Sequence, residues 1–235
     1  MRFVGKNLLI LGGSSALGLE LAIKAGERGL LPLVGYRDEE SLEKISAKLY
    51  CQRYEAVWID LEKEESWKDI CEDYQIDYLV DFAHTDLESL ITSSSEKSVS
   101  EYFQLNVASR TTLLKDVTKN MIKNRAGRLV YVSSTAASRS NKGQGFYSSA
   151  KLAIESIYRS LGIELISKGI SSVSVRPGYL NRGRGEEFLK NNKIDESFIT
   201  SPEDLAETIL FLLSDAAHMI NATEICMDGG MNAQK

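Results

Sequence analysis

Proline and cysteine are scarce in this chain of 235 residues, which carries only three of each. So few prolines leave long helices and central strands uninterrupted, and they argue against an extended, proline-rich or collagen-like chain. Cys51, Cys71 and Cys226 are odd in number and far apart. They offer neither a disulfide framework nor a metal-ligand spacing, and they fit a reducing, cytoplasmic setting. No apolar run approaches the ~20 residues that a membrane-spanning helix requires, and the amino terminus lacks the apolar core of an export signal, so no membrane insertion is expected. A cationic excess is missing as well. Lys and Arg number 28 against 33 Asp and Glu, a formal charge of −5, which disfavours a general nucleic-acid surface while leaving local basic patches open.

What is present is globular. Hydrophobic residues make up 43% and charged residues 26% of the chain, a balance that supports a sizeable buried core. Short apolar runs at Asn7–Leu11, Leu31–Gly35, Glu55–Ile59, Tyr78–Phe82, Arg128–Ser133, Ser171–Arg176 and Thr223–Met227 read as strands. Helical stretches alternate with them: one ending near Arg28, one after Glu39 with a Leu42, Ile45, Leu49 stripe, and one over Glu65–Tyr74. The Ser-rich stretch Thr92–Ser100 reads as a loop leading into a long helix whose inward set includes Phe103, Val107, Leu114, Val117 and Met121. Another long helix carries Ala150, Ile154, Ile157, Leu161 and Leu165. No linker or repeat divides the chain. The expectation is a single α/β domain over 1–235, doubly wound and of Rossmann type, with a mostly parallel central sheet flanked by helices.

Two segments carry chemistry. The turn Gly12-Gly13-Ser14-Ser15-Ala16-Leu17-Gly18 joins the first strand to the first helix. Glycines at such a turn let backbone N–H groups approach a pyrophosphate whose charge the helix N-terminus favours, although a plain tight turn would need small residues too. Tyr147 and Lys151 are four apart and so neighbours on one helical face. A tyrosine ionises near pH ~10, and acid–base work near neutrality benefits from a cation that stabilises its phenolate. Ser134, at the end of a strand, is placed to approach a carbonyl oxygen at the carboxyl-end crevice of the sheet. Arg37 follows the second strand, where a guanidinium pairs with a ribose 2′-phosphate; the competing reading is a solvated cation balanced by Asp38 or Glu39. Asp60 follows the third strand and either accepts from an adenine or caps the helix beyond it.

The ordered set Asn106, Ser134, Tyr147 and Lys151, with the glycine turn, resembles the short-chain dehydrogenase/reductase family, and the match runs from near Asn7 to Gly230. Gly12 and Gly18 match the first and last glycines of its cofactor segment, while Leu11 and Ala16 depart from it. Asp81-Phe82-Ala83-His84 stands for the family's Asn-Asn-Ala-Gly and agrees only at Ala83. The resemblance implies that Tyr147 donates a proton during carbonyl reduction, that Lys151 lowers its pKa and contacts cofactor ribose, that Ser134 positions the oxygen, and that Asn106 supports a water-linked proton route. It further implies a cofactor site of Gly12, Ser14, Ser15, Leu17, Gly18, Arg37, Asp60, Leu61, Ala83, Asn106, Tyr147, Lys151, Pro177, Gly178 and Leu180. Gly35 takes the approximate place of an NAD-selective acid and Arg37 that of the basic residue of NADP-using members, so NADP(H) is the expected cofactor.

Residues 179–200 mix glycines with apolar side chains and form a candidate substrate-covering loop, with an ordinary surface helix as the alternative. Arg125 and Lys168 resemble basic positions of 3-oxoacyl-acyl-carrier-protein reductases, and Arg182 and Arg184 add positive charge, which implies a 3-oxoacyl thioester on acyl carrier protein or coenzyme A. A reductase of a small ketone or aldehyde, and a catalytically silent dinucleotide-binding regulator, are the competing readings. Arg182 stands where the family has a threonine, and Ala222 replaces a common glycine near the terminal Asp228-Gly229-Gly230. The family's use of the helices bearing Asn106 and Tyr147 for subunit contacts implies a homodimer or homotetramer.

Overall fold

The computed structural model describes residues 1–139, 141–181 and 184–233, without the side chains of 184, 185, 187 and 188. In chain order the elements are β1 (Asn7–Leu11), α1 (Ala16–Glu27), β2 (Leu31–Tyr36), α2 (Glu39–Leu49), β3 (Glu55–Trp58), α3 (Glu65–Asp73), β4 (Tyr78–Asp81), α4 (Glu96–Phe103), α5 (Arg110–Asn124), β5 (Gly127–Val132), α6 (Gly145–Leu165), β6 (Ile170–Pro177), β7 (Tyr179–Leu180), α7 (Arg184–Asn191), β8 (Ile199–Thr200), α8 (Pro202–Leu213) and β9 (Thr223–Met227). Seven strands form one parallel sheet in the order β3-β2-β1-β4-β5-β6-β9. The doubly wound α/β fold expected from the sequence is therefore present.

Alternation along β1 shows why both faces are covered. Leu8 and Ile10 join a core with Leu21 of α1, Ile45 of α2, and Ile209 and Leu213 of α8. Leu9 and Leu11 join the opposite core with Trp67 of α3, Leu113 of α5 and Ile154 of α6. Successive side chains of a strand point to opposite faces, so a strand buried on both reads as a continuous apolar run. Each such fully buried aliphatic side chain contributes roughly 1.5–3 kcal/mol. Among the described residues no helix is long and apolar enough to cross a membrane.

Three local expectations change. Helix α4 begins inside the Ser-rich stretch, at Glu96, because Ser95 caps it by accepting from the Ser98 N–H. The long helix expected through Val107 is interrupted by a π-helical segment, Gln104–Ser109, which turns Asn106 into the interior; such bulges recur at functional sites. Residues 179–200 are tied at their base by the parallel pair β7–β8, with α7 between them.

Ala222 adopts φ +51, the left-handed region that favours glycine. It sits at a crowded crossing, since its N–H donates to Ser172 O at 2.8 Å and it lies beneath Gly162 of α6. Ala222→Gly is expected to raise unfolding stability by about 0.5–1 kcal/mol, the relief of strain outweighing the extra freedom of the unfolded chain. Urea denaturation of the two proteins measures it, and a loss of stability on substitution would contradict the strain.

Candidate active site

The strand order reverses between β1 and β4, and ligands of open α/β sheets bind at the carboxyl ends beside such a reversal. A cleft of about 680 Å³ lies there, lined by Gly12, Ser14, Ser15, Arg37, Asp60, Leu61, Ala83, His84 and Asn106, a volume suited to a cofactor. Its floor is made by close backbone approach. Gly12 has φ +71, and a Cβ on it would stand 2.9 Å from the Ala83 nitrogen; a Cβ on Gly18 would stand 2.7 Å from Gly12 O. Ser15 caps α1, accepting from the Gly18 N–H at 3.1 Å and donating to Gly12 O at 2.8 Å. The first turn of α1 carries no acidic residue, so its positive end is available to an anion. Ala16 is exposed at the first helical position. The Leu17 side chain packs into the core instead of lining the cleft, which leaves its backbone N–H as the group able to meet a phosphate.

At the far end of the cleft every cation has an acid beside it. Arg37, 65% exposed, pairs with Asp38 at 2.9 Å. Lys44 pairs with Glu40 at 2.6 Å and Lys63 with Asp60 at 3.5 Å. Hydrogen bonds from Ser41 hold the Asp38 carboxyl down at about 2, with Arg37 adding to the effect. Asp60 lines the cleft, and it does not cap α3, whose N-cap is Glu64; its Oδ1 instead accepts from the Glu62 N–H at 3.0 Å, shaping the turn ahead of that helix. Gly35 requires a correction. It is buried within β2, and a Cβ there would lie 2.8 Å from Ile10 O, so this position has no room for a ribose-binding acid. Gly35 lines the cleft with its backbone alone, and Tyr36 and Arg37 bring side chains to it at the end of β2.

The cleft wall after β4 is fixed by a fully buried ion pair. Arg110 of α5 and Asp81 of β4 are both 0% exposed, and the Arg110 Nη1 donates to the two Asp81 oxygens at 2.8 Å each. Arg110 Nη2 also donates to Ala83 O, the Ala83 N–H donates to Asp81 Oδ1 at 3.1 Å, and the Tyr158 hydroxyl donates to Asp81 Oδ2 at 3.1 Å. One turn earlier, Asn106 accepts from the Thr85 N–H at 3.0 Å and donates to Thr85 Oγ1 and Tyr102 O. Its amide thus latches the segment after β4 to the π turn. Sequence reasoning missed Arg110, whose only signal was a charge on the inward face of a helix.

Lys151 is 3% exposed; its Nζ donates to Val132 O at 3.0 Å and lies 5.7 Å from the ring centre of Tyr147. The ring of His84, which lines the cleft, meets Tyr147 edge-on at 4.9 Å and shares a 2.8 Å hydrogen bond with the Tyr102 hydroxyl. Tyr147 and Lys151 therefore stand together beside the cleft wall. Ser134 lies two residues beyond β5 and caps the turn Thr135–Ala137, accepting from the Ala136 N–H at 3.1 Å, and that turn packs against α6.

Pro177 ends β6 and Gly178 follows it, where the Gly178 N–H donates to Met227 O at 2.7 Å and a side chain would strike Phe198 O. Just before them, Arg176 forms a two-pronged pair with the buried Glu155 of α6, at 2.7 and 2.6 Å. Leu180 pairs with Thr200 and packs against the core shared by α1, α2 and α8. Arg125 and Lys168 are exposed neighbours where the chain enters β5 and β6, at the end of the sheet opposite Tyr147, so they do not border this chain's own cleft. Arg182, Gly183 and the side chains of Arg184 and Phe188 lie outside the described residues.

A family model described as enoyl-(acyl carrier protein) reductase matches residues 12–232. The 3-oxoacyl-[acyl-carrier-protein] reductase FabG of Buchnera aphidicola subsp. Schizaphis graminum is 28% identical over 242 residues, covering 98% of this chain and 99% of that protein. A solved structure titled short chain dehydrogenase/reductase family protein superposes with a TM-score of 0.88 at 27% identity, covering 99% of this chain and 100% of that one. Another, titled a putative betaketoacyl-ACP reductase, gives 0.85 at 26% identity with the same coverage.

Removing the guanidinium alone strands a buried carboxylate, so Arg110→Met is expected to cost about 3–5 kcal/mol of stability. The double change Asp81→Asn with Arg110→Met is expected to recover much of that loss, because Asn carries no charge, keeps an oxygen that accepts from the Ala83 N–H, and turns an NH₂ donor toward the Tyr158 hydroxyl oxygen. Chemical denaturation of the single and double variants tests this. A single variant within about 1 kcal/mol of the parent would show that the pair is not a buried charge requiring compensation.

Proposed function

This chain belongs to the short-chain dehydrogenase/reductase family, and from that premise we propose that it is an NADPH-dependent carbonyl reductase acting on a 3-oxoacyl thioester. The observation that carries the reading is the buried Lys151 ammonium under the Tyr147 ring at the carboxyl end of the sheet, beside a dinucleotide-sized cleft. The Gly12–Gly18 cradle and the acid-free start of α1 fit a pyrophosphate, and Arg37 fits a 2′-phosphate. Asp60 and Leu61 would border the adenosine, and Pro177 and Gly178 the nicotinamide turn. When bound, the reduced nicotinamide supplies a hydride for the substrate carbonyl carbon.

The chain's own residues manage the proton and the oxygen. Tyr147 delivers its phenolic proton to the carbonyl oxygen, and Ser134 donates a hydrogen bond to the same atom as negative charge develops on it. Lys151 stabilises the phenolate that Tyr147 becomes. Because the Asn106 amide is engaged with Thr85 and Tyr102, its part is to hold the π turn against the cleft wall. The names of the similar reductases support an acyl carrier protein or coenzyme A thioester as substrate. Oxygen-directed donors at Tyr147 and Ser134 favour reduction of a carbonyl over the carbon–carbon double bond that the family model's description suggests. Residues 179–200, closed at their base by β7–β8, would cover the substrate. Exposed Leu152, Ile163 and Ile166 on and just beyond α6 support assembly into a homodimer or homotetramer.

NADPH oxidation with 3-oxoacyl thioesters, enoyl thioesters, small ketones and aldehydes, followed by product identification, tests the reading. Preferential conversion of the 3-oxoacyl thioester is expected; inactivity on every carbonyl despite NADPH binding would favour a regulatory role. Tyr147→Phe is expected to lower kcat by about 10²–10⁴ while NADPH binding is retained. Arg37→Ala is expected to raise the KM for NADPH about tenfold, and that for NADH little, because a charge-assisted contact to the 2′-phosphate is lost. An equal effect on the two cofactors would remove the phosphate assignment.

A further inference from the structure

Lys151 places its Nζ where a charge is costly, at 3% exposure. A buried ammonium needs compensating contacts, and an aromatic face is one of them. The nearer of the two phenol rings under the Lys151 Nζ is not that of Tyr147 but that of Tyr131, at 5.0 Å from the ring centre against 5.7 Å. Tyr131 is 0% exposed, in register between Asp81 of β4 and Ser174 of β6. Its ring is stacked on that of Tyr158 at 5.0 Å with 22° between planes, and the Arg110 guanidinium lies 5.8 Å from its centre. Tyr158 is itself anchored through its hydroxyl on Asp81. By contrast, the Tyr131 hydroxyl is buried with no hydrogen-bond partner among the described residues. The surroundings fix the ring and leave the hydroxyl unused.

We propose that Tyr131 is a positioning residue for proton transfer, its ring face seating the Lys151 ammonium beneath Tyr147. The proposal rests on the reading of Tyr147 as proton donor and Lys151 as its electrostatic partner. Burial pushes ionisation of the Tyr131 hydroxyl far above the ordinary tyrosine range, so the ring stays a neutral, cation-attracting surface throughout the working pH range. The charged and titratable groups around the Tyr147–Lys151 pair are Tyr131 from β5, Asp81 from β4 with Arg110 from α5, Tyr158 and Glu155 from α6 with Arg176 from β6, and His84 with Tyr102 from α4. Asp81 and Glu155 are each matched by an arginine, and the Tyr131 ring, like the Val132 carbonyl, is a near neighbour that favours the cationic form of Lys151 without neutralising it. A carboxylate in that place would also hold the ammonium but would screen its field at Tyr147.

The test is the ionisation of Tyr147, followed in the full-length protein by NMR of ¹³Cζ-labelled tyrosine and assigned by the signal lost in Tyr147→Phe. It is compared across Tyr131→Phe, Tyr131→Leu and a series with progressively fluorinated phenylalanine at 131, which weakens the ring's attraction for cations at nearly constant shape. Tyr131→Phe is expected to hold the Tyr147 midpoint where it is. Tyr131→Leu and the fluorinated series are expected to raise it by about half a unit or more, stepwise with fluorination, and to lower kcat for reduction about threefold to tenfold. A midpoint that ignores both the leucine and the most fluorinated ring overturns the proposal, and the fluorinated series decides if the leucine variant does not fold. Lys151→Met separates the two levels of the argument. A shift there without one in the ring series defeats the role of Tyr131 alone, whereas no shift with Lys151→Met defeats the reading of the pair on which it rests.

Discussion

A guanidinium and a carboxylate with no access to water organise the reacting side of this molecule. Asp81 and Arg110 are each fully buried and each other's counter-ion. Removal of either would leave an uncompensated interior charge, so the chain is committed to keeping the end of β4 and the start of α5 together. Everything around the pair inherits that commitment. Arg110 and Asp81 grip the Ala83 backbone from both its carbonyl and its N–H, and it is against this stretch of backbone that Gly12 packs without room for a side chain. Through Tyr158 the same carboxylate orients the ring stack beneath Lys151. One buried pair thus fixes both the wall of the cleft and the rings beneath Lys151 of α6.

Much of the frame was legible because its signals are local. Each strand buried on both faces is a short apolar run, and the β1 turn and the four-residue spacing of Tyr147 and Lys151 need no knowledge of distant chain. What escaped depends on distance or on a single backbone angle. Asp81 and Arg110 are 29 positions apart, and neither looks unusual until β4 lies beside α5. The π turn at Asn106 leaves the apolar periodicity of the helix almost intact, so the pattern reads straight through it. The β7–β8 pair is two residues on each side, too short to alternate. Gly35 was misplaced for the same kind of reason: its function is a close pass beneath Ile10 O, visible only once β1 and β2 are paired.

The two ends of the cleft differ in how firmly their charges are held. At the end of the cleft beside β2, Arg37 and Lys44 form exposed pairs with neighbours one and four residues away, the kind of contact worth little in water. A dianionic phosphate can replace a carboxylate there without disturbing the fold, because Asp38 keeps its capping bonds to Ser41 whether or not Arg37 turns away. Beside Tyr147 and Lys151, exchange of partners is blocked by burial. Lys151, Glu155, Asp81 and Arg110 have no bulk water to receive them if a contact is broken. The cleft therefore combines exchangeable ion pairs at the β2 end with fixed, buried ones beside Tyr147 and Lys151.

That fixity has to reach the substrate-facing turn as well, and Glu155 with Arg176 supplies the path. Glu155 lies one helical turn beyond Lys151 on α6, and Arg176 is the residue before Pro177 and Gly178 on β6. Two short parallel hydrogen bonds between a planar guanidinium and a carboxylate resist both sliding and rotation, which a single contact does not. Any movement of α6 along β6 would have to break them in the interior, so the phenol of Tyr147 and the turn at Gly178 move as one body. In the proposed reaction, Tyr147 and the turn at Gly178 would thus be held in a common frame before substrate arrives, with little reorganisation left for the chemical step.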